Sequence, residues 1–533
     1  MVHVDYILVL VMGLLIAVAA VAGLARRFAL SYPIALVIFG LLCSLIPRVP
    51  RIPLQPSVVF LVFLPPLIYI SAWQISWREF RYNLVSISSL AVFLVFFTAI
   101  GVAFAAQWWL PGFDWRLGFL LGAVVSPTDA VAATSIARKV GMPQGIVDIL
   151  EGESLLNDAT GLLALQFGVA MVVQGRTPTF TEGFLEFAWL TIGGVLVGLA
   201  IGFVVTALER WVDDGPVEIA ISLIIPYAAY LAGDAVKTSG IIAVVTCGLL
   251  VSRRSSTFFS PRVRLQAFAV WDALEFLLNG FVFVLIGLQL PYVLAGIHGM
   301  SKMNLVAYAL IFSAILVALR MAWMFPATHL SWWLRTRIGH QRCEAPKANQ
   351  TFVVGWTGMR GVVALAAAGS LPLTLNDGSS FPQRSFIIFL TFALILVTVV
   401  FQGLSLPWVI RMLRLRTEDT SYCEEGQARH LMLQSAIDFL NERRNSAQDE
   451  SETHLFDDLL HQFRHRLAEI NECGPEGSVP QAAEENLTMS GLLLDTIRTE
   501  REKLNSLRQS GRIGDNVHRI LERELDLTES RLV

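Results

Sequence analysis

Apolar residues run along this chain in blocks of about twenty, the length an α-helix needs to cross a bilayer. Short polar loops separate them. The blocks fall near 4–25, 31–47, 56–74, 84–109, 116–137, 145–174, 184–208, 217–234, 239–252, 266–290, 304–333, 350–373 and 385–412. They predict an all-α polytopic membrane protein with roughly thirteen transmembrane helices, of which 31–47 and 239–252 are short for a full crossing. After Arg416 the blocks stop. The pattern therefore predicts two domains, a transmembrane part over 1–416 and a cytosolic part over 417–533.

The loops set the orientation through their Lys and Arg content. Arg26-Arg27, Arg78 with Arg81, Arg138-Lys139, Arg253-Arg254 with Arg262 and Arg264, and Arg335 with Arg337 fall on alternate loops. LPGFD, GRTPTFTEG and PYVLAGIHGMSKM lie on the other side and are poorer in positive charge. Arg48 and Arg51 run against the trend. The rule places the N-terminus outside the cell membrane and the C-terminus in the cytosol.

In the tail, Leu433, Ile437 and Leu440, then Phe456, Leu459, Leu460 and Phe463, recur at helical spacing. Ile497, Leu504 and Leu507, then Val517, Ile520, Leu521 and Leu525, do the same. The Gly-Pro-Glu-Gly at 474–477 divides the series. A small domain of four helices is expected, regulating transport or making dimer contacts, with its regulatory ligand unspecified. His461 and His465 have metal-compatible spacing but no third ligand, so a surface pair is the expectation.

Composition agrees with a membrane chain. Of 533 residues 54% are hydrophobic and 16% charged, against about 25% charged in ordinary globular domains. A formal net charge of −3 gives no footprint for nucleic acid. Five cysteines (Cys43, Cys247, Cys343, Cys423, Cys473) form no CxxC, which argues against a disulfide framework or a zinc site. The first apolar block lacks a basic flank before it and has Arg26-Arg27 after it, so it reads as a retained helix and not a signal peptide.

Charge inside the blocks carries the candidate chemistry, because an ionisable side chain at mid-membrane is costly and functional by default. The fifth block holds Asp129, the sixth Glu153 and Asp158, the eleventh Arg320 and the twelfth Arg360. At 1.5 Å rise per residue, Asp129 and Asp158 lie roughly 21 and 20 Å from opposite surfaces, near the midplane. Glu153 comes out about level with Arg320, and Asp129 about level with Arg360. If those are ion pairs, Asp158 is the acid left without a cation.

Glu151, Ser154 and Asp158 stand at i, i+3 and i+7, a polar stripe on one helix face. Such a stripe suits a water-accessible funnel to Asp158; helix–helix glue by small polar residues is the competing reading, strongest for Ser154. Asp272, Glu275 and Asn279 repeat the spacing in the tenth block. Starting at the cytosolic end, that set reads as a solvated face or as hydrogen bonding within the bundle.

Two blocks are expected to be broken. Pro127 in Ser-Pro-Thr-Asp removes a backbone hydrogen bond at mid-span. Gly355, Gly358 and Gly361 surround Arg360 in the twelfth block. Discontinuous helices in corresponding halves point to a secondary transporter's site. Blocks 1–6 and 8–13 would then be inverted repeats, with Asp129 and Arg360 neutralising half-helix ends.

FLPPLIYISAW (63–73), SPTDAVA (126–132), GESLLNDATGLL (152–163), FLLNGFVFVLIGLQL (276–290) and GWTGMRGVVALA (355–366) resemble the cation/proton antiporter family. Its branch is the one of bacterial NhaP-type antiporters and animal sodium/proton exchangers. The resemblance covers about residues 1–412, and GRIGDNVHRILERELDLTESRL resembles tails of other bacterial members. It implies a thirteen-helix fold, a homodimer, and a core domain rocking against a dimerisation domain. By resemblance, Asp158 carries proton and cation, preceded by Asn157, while Ser154 and the backbone around Thr128 complete the oxygen shell. Glu153 with Arg320, and Asp129 with Arg360, match structural ion pairs of the family. Many members place an acid shortly after the Pro-Pro of the third span. Here that region is Ile70-Ser71, so a ligand from it would be Ser71 or a backbone oxygen.

The expected function is exchange of one monovalent cation, Na+ with K+ or Li+ as alternatives, for one proton, with no cofactor. Asn157 cannot ionise, so a single acid titrates and each cycle moves no net charge. An intramembrane aspartyl protease using Asp129 and Asp158 is the alternative from another class. It needs two carboxyls sharing a proton at close range, which the two arginines would oppose. A cation channel suits a ring of carboxylates better than one acid.

Overall fold

A computed structural model describes residues 2–28, 30–47, 55–75, 77–175, 179–209, 211, 214–258, 261–297, 300–337, 345–413 and 415, with scattered tail positions between 434 and 468. The chain divides into two compact units, Met1–Thr417 and Glu418–Val533.

The larger unit is built from α1 (Val2–Arg27), α2 (Tyr32–Ser44), α3 (Pro56–Gln74), α4 (Phe80–Trp109), α5 (Trp115–Val125), α6 (Ala130–Lys139) and α7 (Gln144–Val173). It continues through α8 (Phe180–Glu209), α9 (Gly215–Ala235), α10 (Gly240–Phe258), α11 (Pro261–Leu288) and α12 (Lys302–Arg337). The last three are α13 (Ala348–Trp356), α14 (Val362–Gly369) and α15 (Arg384–Met412). Among the described residues eight helices are individually long and apolar enough to cross a membrane, and the bent pair α5–α6 makes a ninth. The only β-pairing among them is a bridge between Thr374 and Ser380 in the loop before α15. In that loop Asp377 accepts hydrogen bonds from the N–H and hydroxyl of Ser379, which hold its carboxyl below the usual carboxylate range.

Prolines shape α3. Pro65 and Pro66 lack the N–H groups that would bond four residues back, and the helix widens to π-type over Val59–Phe63 just before them. The carbonyl of Val62, left without its partner by Pro66, accepts from the hydroxyl of Tyr227 on α9 at 3.1 Å. Two further π-type turns lie among the described residues, Ser89–Phe93 within α4 and Val397–Gln402 within α15.

Two apolar cores hold the unit together. Leu120, Leu121, Ile136, Val353, Leu365 and Leu390 belong to one, and Tyr69, Ile225, Val244, Cys247 and Trp271 to the other. Helix α7 takes part in both, with Leu150 and Leu165 in the first core and Leu155 and Ala159 in the second. Its polar residues therefore lie at the seam. On the outside α8 exposes Phe184, Trp189, Ile192, Leu196 and Phe203, the kind of surface that lipid covers without cost.

Both expected helix breaks are present. Residues 126–129 separate α5 from α6, whose axes differ by 42°. Residues 357–361 separate α13 from α14. The two breaks meet: the N–H of Asp129 donates to the carbonyl of Met359 at 2.8 Å.

In the tail unit the described positions, Gln434 to Ala468, are helical, with Ile437 and Leu460 buried and Arg444 paired to Asp457 at 2.7 Å. The helices expected around Ile497 to Leu525, the break at 474–477, and Arg48 and Arg51 lie outside the described residues.

Candidate functional site

Helix α7 supplies most of the site. Glu153 and Arg320 of α12 form a two-armed pair, Nη1–Oε1 at 2.5 Å and Nη2–Oε2 at 2.8 Å, with side chains 1% and 2% exposed. The same guanidinium donates to the carbonyls of Gly355 and Val354, each at 3.1 Å. It thus satisfies the carbonyl end of α13 as well as the carboxylate. Gly358 is needed here, because a Cβ at that position would overlap the side chain of Arg320.

The level match between Asp129 and Arg360 is present, but the expected ion pair is not: among the described residues no salt bridge joins them. Each caps a helix end. Asp129 is the N-cap of α6 and accepts from the N–H of Val131 at 2.9 Å. Arg360 donates through Nε to the carbonyl of Val125, the last residue of α5, at 3.0 Å, and through Nη1 to the carbonyl of Gly358. Its own N–H reaches Thr398, in the π-type turn of α15, at 3.1 Å. The physical reason lies in the breaks themselves. Opposite helix ends present opposite partial charges at one level, and each side chain goes to the end it complements. Gly361 lets this happen, since a Cβ there would strike the carboxylate of Asp129.

Thr128 ties the break to α7. Its hydroxyl donates to Glu153 Oε1 at 3.1 Å and accepts from Asn157 Nδ2 at 2.6 Å. Its carbonyl accepts from Ser154 Oγ at 2.8 Å, and Ser154 in turn accepts from the N–H of Ala130 at 3.2 Å. Pro127 lies against Gly161. The Oδ1 of Asn157 is buried without a hydrogen-bond partner.

Asp158 is different from its neighbours. Its side chain is 8% exposed, and among the described residues no hydrogen bond or ion pair reaches it. It faces a cavity of about 440 Å³ that is also lined by Ser71, Thr128, Asp129 and Ser154. Ser71 donates to the carbonyl of Leu67 on its own helix at 2.9 Å, leaving its oxygen lone pairs toward the space. The cavity extends past Gln74, Arg138, Glu151, Asp272 and Glu275. It therefore opens at the end of the bundle where α3 and α6 finish and α7 and α11 begin. Arg138 and Glu151 form a 2.7 Å salt bridge there.

The stripe Asp272, Glu275 and Asn279 combines both expected roles, with Asp272 exposed and Glu275 accepting from Gln74 Nε2 at 3.4 Å, and all three residues line this same cavity. Its spacing equals that of Glu151, Ser154 and Asp158, and two such stripes facing each other across one space is the signal that would have found it. Tyr32 of α2, also on the wall, carried no signal in the sequence.

A bundle of apolar helices with two crossed breaks, a buried charge-compensated scaffold and, at Asp158, a buried cavity carboxylate that no hydrogen bond or ion pair reaches among the described residues defines an all-α polytopic membrane transporter. Residues 14–412 match the family described as sodium/hydrogen exchanger, transmembrane, and the chain belongs to that family. It is a multi-pass membrane protein that exchanges cations for protons, a transporter and not an enzyme. An uncharacterized Na+/H+ exchanger of Mycobacterium tuberculosis is 34% identical over 540 residues, covering 98% of this chain and 97% of that one. The sodium, potassium, lithium and rubidium/H+ antiporter of Bacillus pumilus is 32% identical over 471 residues, covering 86% of this chain and 69% of that one. The sodium proton antiporter MjNhaP1 of Methanocaldococcus jannaschii has the same fold, with a TM-score of 0.58 at 18% identity over 76% of this chain and 99% of that one.

Proposed function

We propose that Asp158 is the carrier of an electroneutral exchange of one monovalent cation for one proton by alternating access. The observation that carries this reading is the partnerless carboxylate of Asp158 on the cavity wall, beside two acids whose charge is already used. A charged carboxylate in an apolar barrier is costly, and either a proton or a cation removes that cost. The empty site is therefore the form that cannot cross, which couples the two fluxes. Ser154 Oγ, the carbonyl of Thr128, Asn157 Oδ1 and Ser71 Oγ supply neutral oxygens around the acid and add no second titrating group. Glu153 with Arg320, and Asp129 and Arg360 at the helix ends, hold this geometry fixed.

Na+ is the proposed cation, with K+ and Li+ as competitors, since all three accept carboxylate, hydroxyl and carbonyl oxygens. The breadth of cations in the name of the Bacillus pumilus relative supports that range. The proposed topology also counts α1, α2, α10 and the α13–α14 pair as crossings, giving thirteen with inverted repeats, an external N-terminus and a cytosolic C-terminus in the cell membrane. The cavity then opens to the cytosol. A homodimer and a regulatory role for the region after Arg416 complete the reading; an unchanged pH profile and oligomeric state on truncation there would refute the last point.

Reconstitution in proteoliposomes tests the centre of it. Asp158→Asn is expected to abolish cation-driven pH changes, and retained exchange would refute the assignment. Wild-type protein run through a Na+, Li+ and K+ series ranks the cations. A transport current that scales with turnover would rule out the 1:1 stoichiometry.

A further inference from the structure

A second cavity, of about 210 Å³, lies between the start of α4, the start of α7, the end of α12 and the start of α13. It shares no wall residue with the transport cavity. Ser86 and Ser89 of α4, Ile146 and Ile149 of α7, Arg335 of α12 and Gln350 of α13 stand on its wall. Among the described residues no acidic side chain lines it, and its charged groups are Arg335 and Lys347. Arg335 is held in place but not neutralised. Its Nη2 donates to the carbonyl of Tyr82 at 2.5 Å and to Asn83 Oδ1 at 2.9 Å, and the guanidinium stands over the Tyr82 ring, 4.8 Å from its centre. Its Nε is buried with no hydrogen-bond partner. Among the described residues no carboxylate pairs with this arginine. Further donors stand on the same wall, since the hydroxyls of Ser86 and Ser89 and the side-chain amide of Gln350 make no hydrogen bond among the described residues.

A pre-positioned guanidinium with spare hydroxyl and amide donors beside it and no carboxylate is a donor set for an oxyanion. The surroundings say where that anion comes from. Tyr82 lies under the arginine and Trp332 is on the cavity wall, aromatic side chains of the kind that sit at the headgroup level of a bilayer. Leu84 and Val85 of α4, and Phe325 and Leu330 of α12, neighbour the wall residues and are exposed on the outside of the bundle, where acyl chains cover them. We propose that this cavity binds the phosphate of an anionic membrane lipid, with Arg335 as its cation and Ser86 and Ser89 as neutral donors. Its wall also includes Met324 and Val354, and the carbonyl of Val354 is one of those held by Arg320. A seated headgroup therefore bridges α4, α12 and α13 beside the Glu153–Arg320 pair and stiffens that part of the bundle from outside the ion cavity.

Lipid binding to the full-length protein in detergent tests the site. The protein is mixed with dioleoylphosphatidylglycerol, dioleoylphosphatidylcholine or inorganic phosphate; bound lipid is counted by native mass spectrometry and the thermal midpoint is read in parallel. The expected result is tighter binding of phosphatidylglycerol than of phosphatidylcholine, with a rise in midpoint that phosphate alone does not produce. Arg335→Gln is expected to weaken phosphatidylglycerol binding about tenfold or more. Because Arg335 also holds Tyr82 and Asn83, the double variant Ser86→Ala with Ser89→Ala is the second probe, expected to weaken the same binding while leaving those contacts in place. Equal binding of the two lipids, or phosphatidylglycerol binding unchanged in either folded variant, overturns the proposal. Inorganic phosphate giving the same Arg335-dependent rise in midpoint overturns the membrane lipid as the occupant.

Discussion

Both carboxylate oxygens of Glu153 are held by the guanidinium of Arg320, at 2.5 and 2.8 Å, in a site where neither side chain meets solvent. Breaking a buried pair from one side leaves an uncompensated charge, at a cost of about 3–5 kcal/mol. Glu153→Ala and Arg320→Ala are each expected to lower the thermal midpoint in detergent by that order of stability. The double variant should lose less than the sum, because neither charge is then stranded. Additive losses in that cycle would show that the pair is not coupled.

Asp129 behaves differently, because it caps α6 and, among the described residues, has no arginine partner. Asn caps a helix about as well as Asp, whereas Ala forfeits roughly 0.5–2 kcal/mol. Asp129→Asn is therefore expected to unfold close to wild type and Asp129→Ala measurably earlier. Were Asp129 the counter-ion of Arg360, Asn would cost as much as Ala, and thermal melts of the two variants separate the cases.

Gly361 borders the carboxylate of Asp129, and a methyl group there has no room. Overpacking of this kind costs about 1–3 kcal/mol. Gly361→Ala is expected to destabilise the protein and to slow exchange together, since it pushes apart the two helix breaks that meet through Asp129 and Met359. A fully stable Gly361→Ala protein would contradict the close approach.

Asp272 and Glu275 stand on the cavity wall toward its opening, across from the α7 stripe. Negative charge at a mouth raises the local cation concentration and speeds entry, an effect screened by salt. Asp272→Asn with Glu275→Gln is expected to raise the apparent KM for the cation at low ionic strength and to leave the maximal rate nearly unchanged. The difference from wild type should shrink as an impermeant salt is added. A loss of maximal rate with an unchanged KM would place these acids in the translocation step.

Much of this protein was legible in order along the chain. The apolar blocks announce a helical membrane protein because a bilayer leaves each crossing helix to satisfy its own backbone. Pro127 and the glycines around Arg360 mark the two breaks, because a missing N–H or a missing side chain acts locally. Counting residues at a constant helical rise was enough to set Glu153 level with Arg320 and Asp129 level with Arg360. Pro65 and Pro66 mark the π-type turn before them in the same local way, whereas the one around Thr398 has no mark of that kind in the sequence.

What depth alone could not settle was where each charge points. Asp129 and Arg360 share a level, yet each turns to a helix end, because four free backbone groups of fixed sign lie nearer to it than the opposite side chain. Nor could spacing along α11 say whether Asp272, Glu275 and Asn279 meet water or a cavity; that depends on α3, α6 and α7 standing across from them. The sequence by itself determined which residues are buried in the membrane and at what height. Only the tertiary structure decided their partners, because height follows from a rise along one helix and partnership from the rotation and crossing of several. Asp158, the acid that the depth count left without a cation, lines the cavity with a carboxylate that no hydrogen bond or ion pair reaches among the described residues.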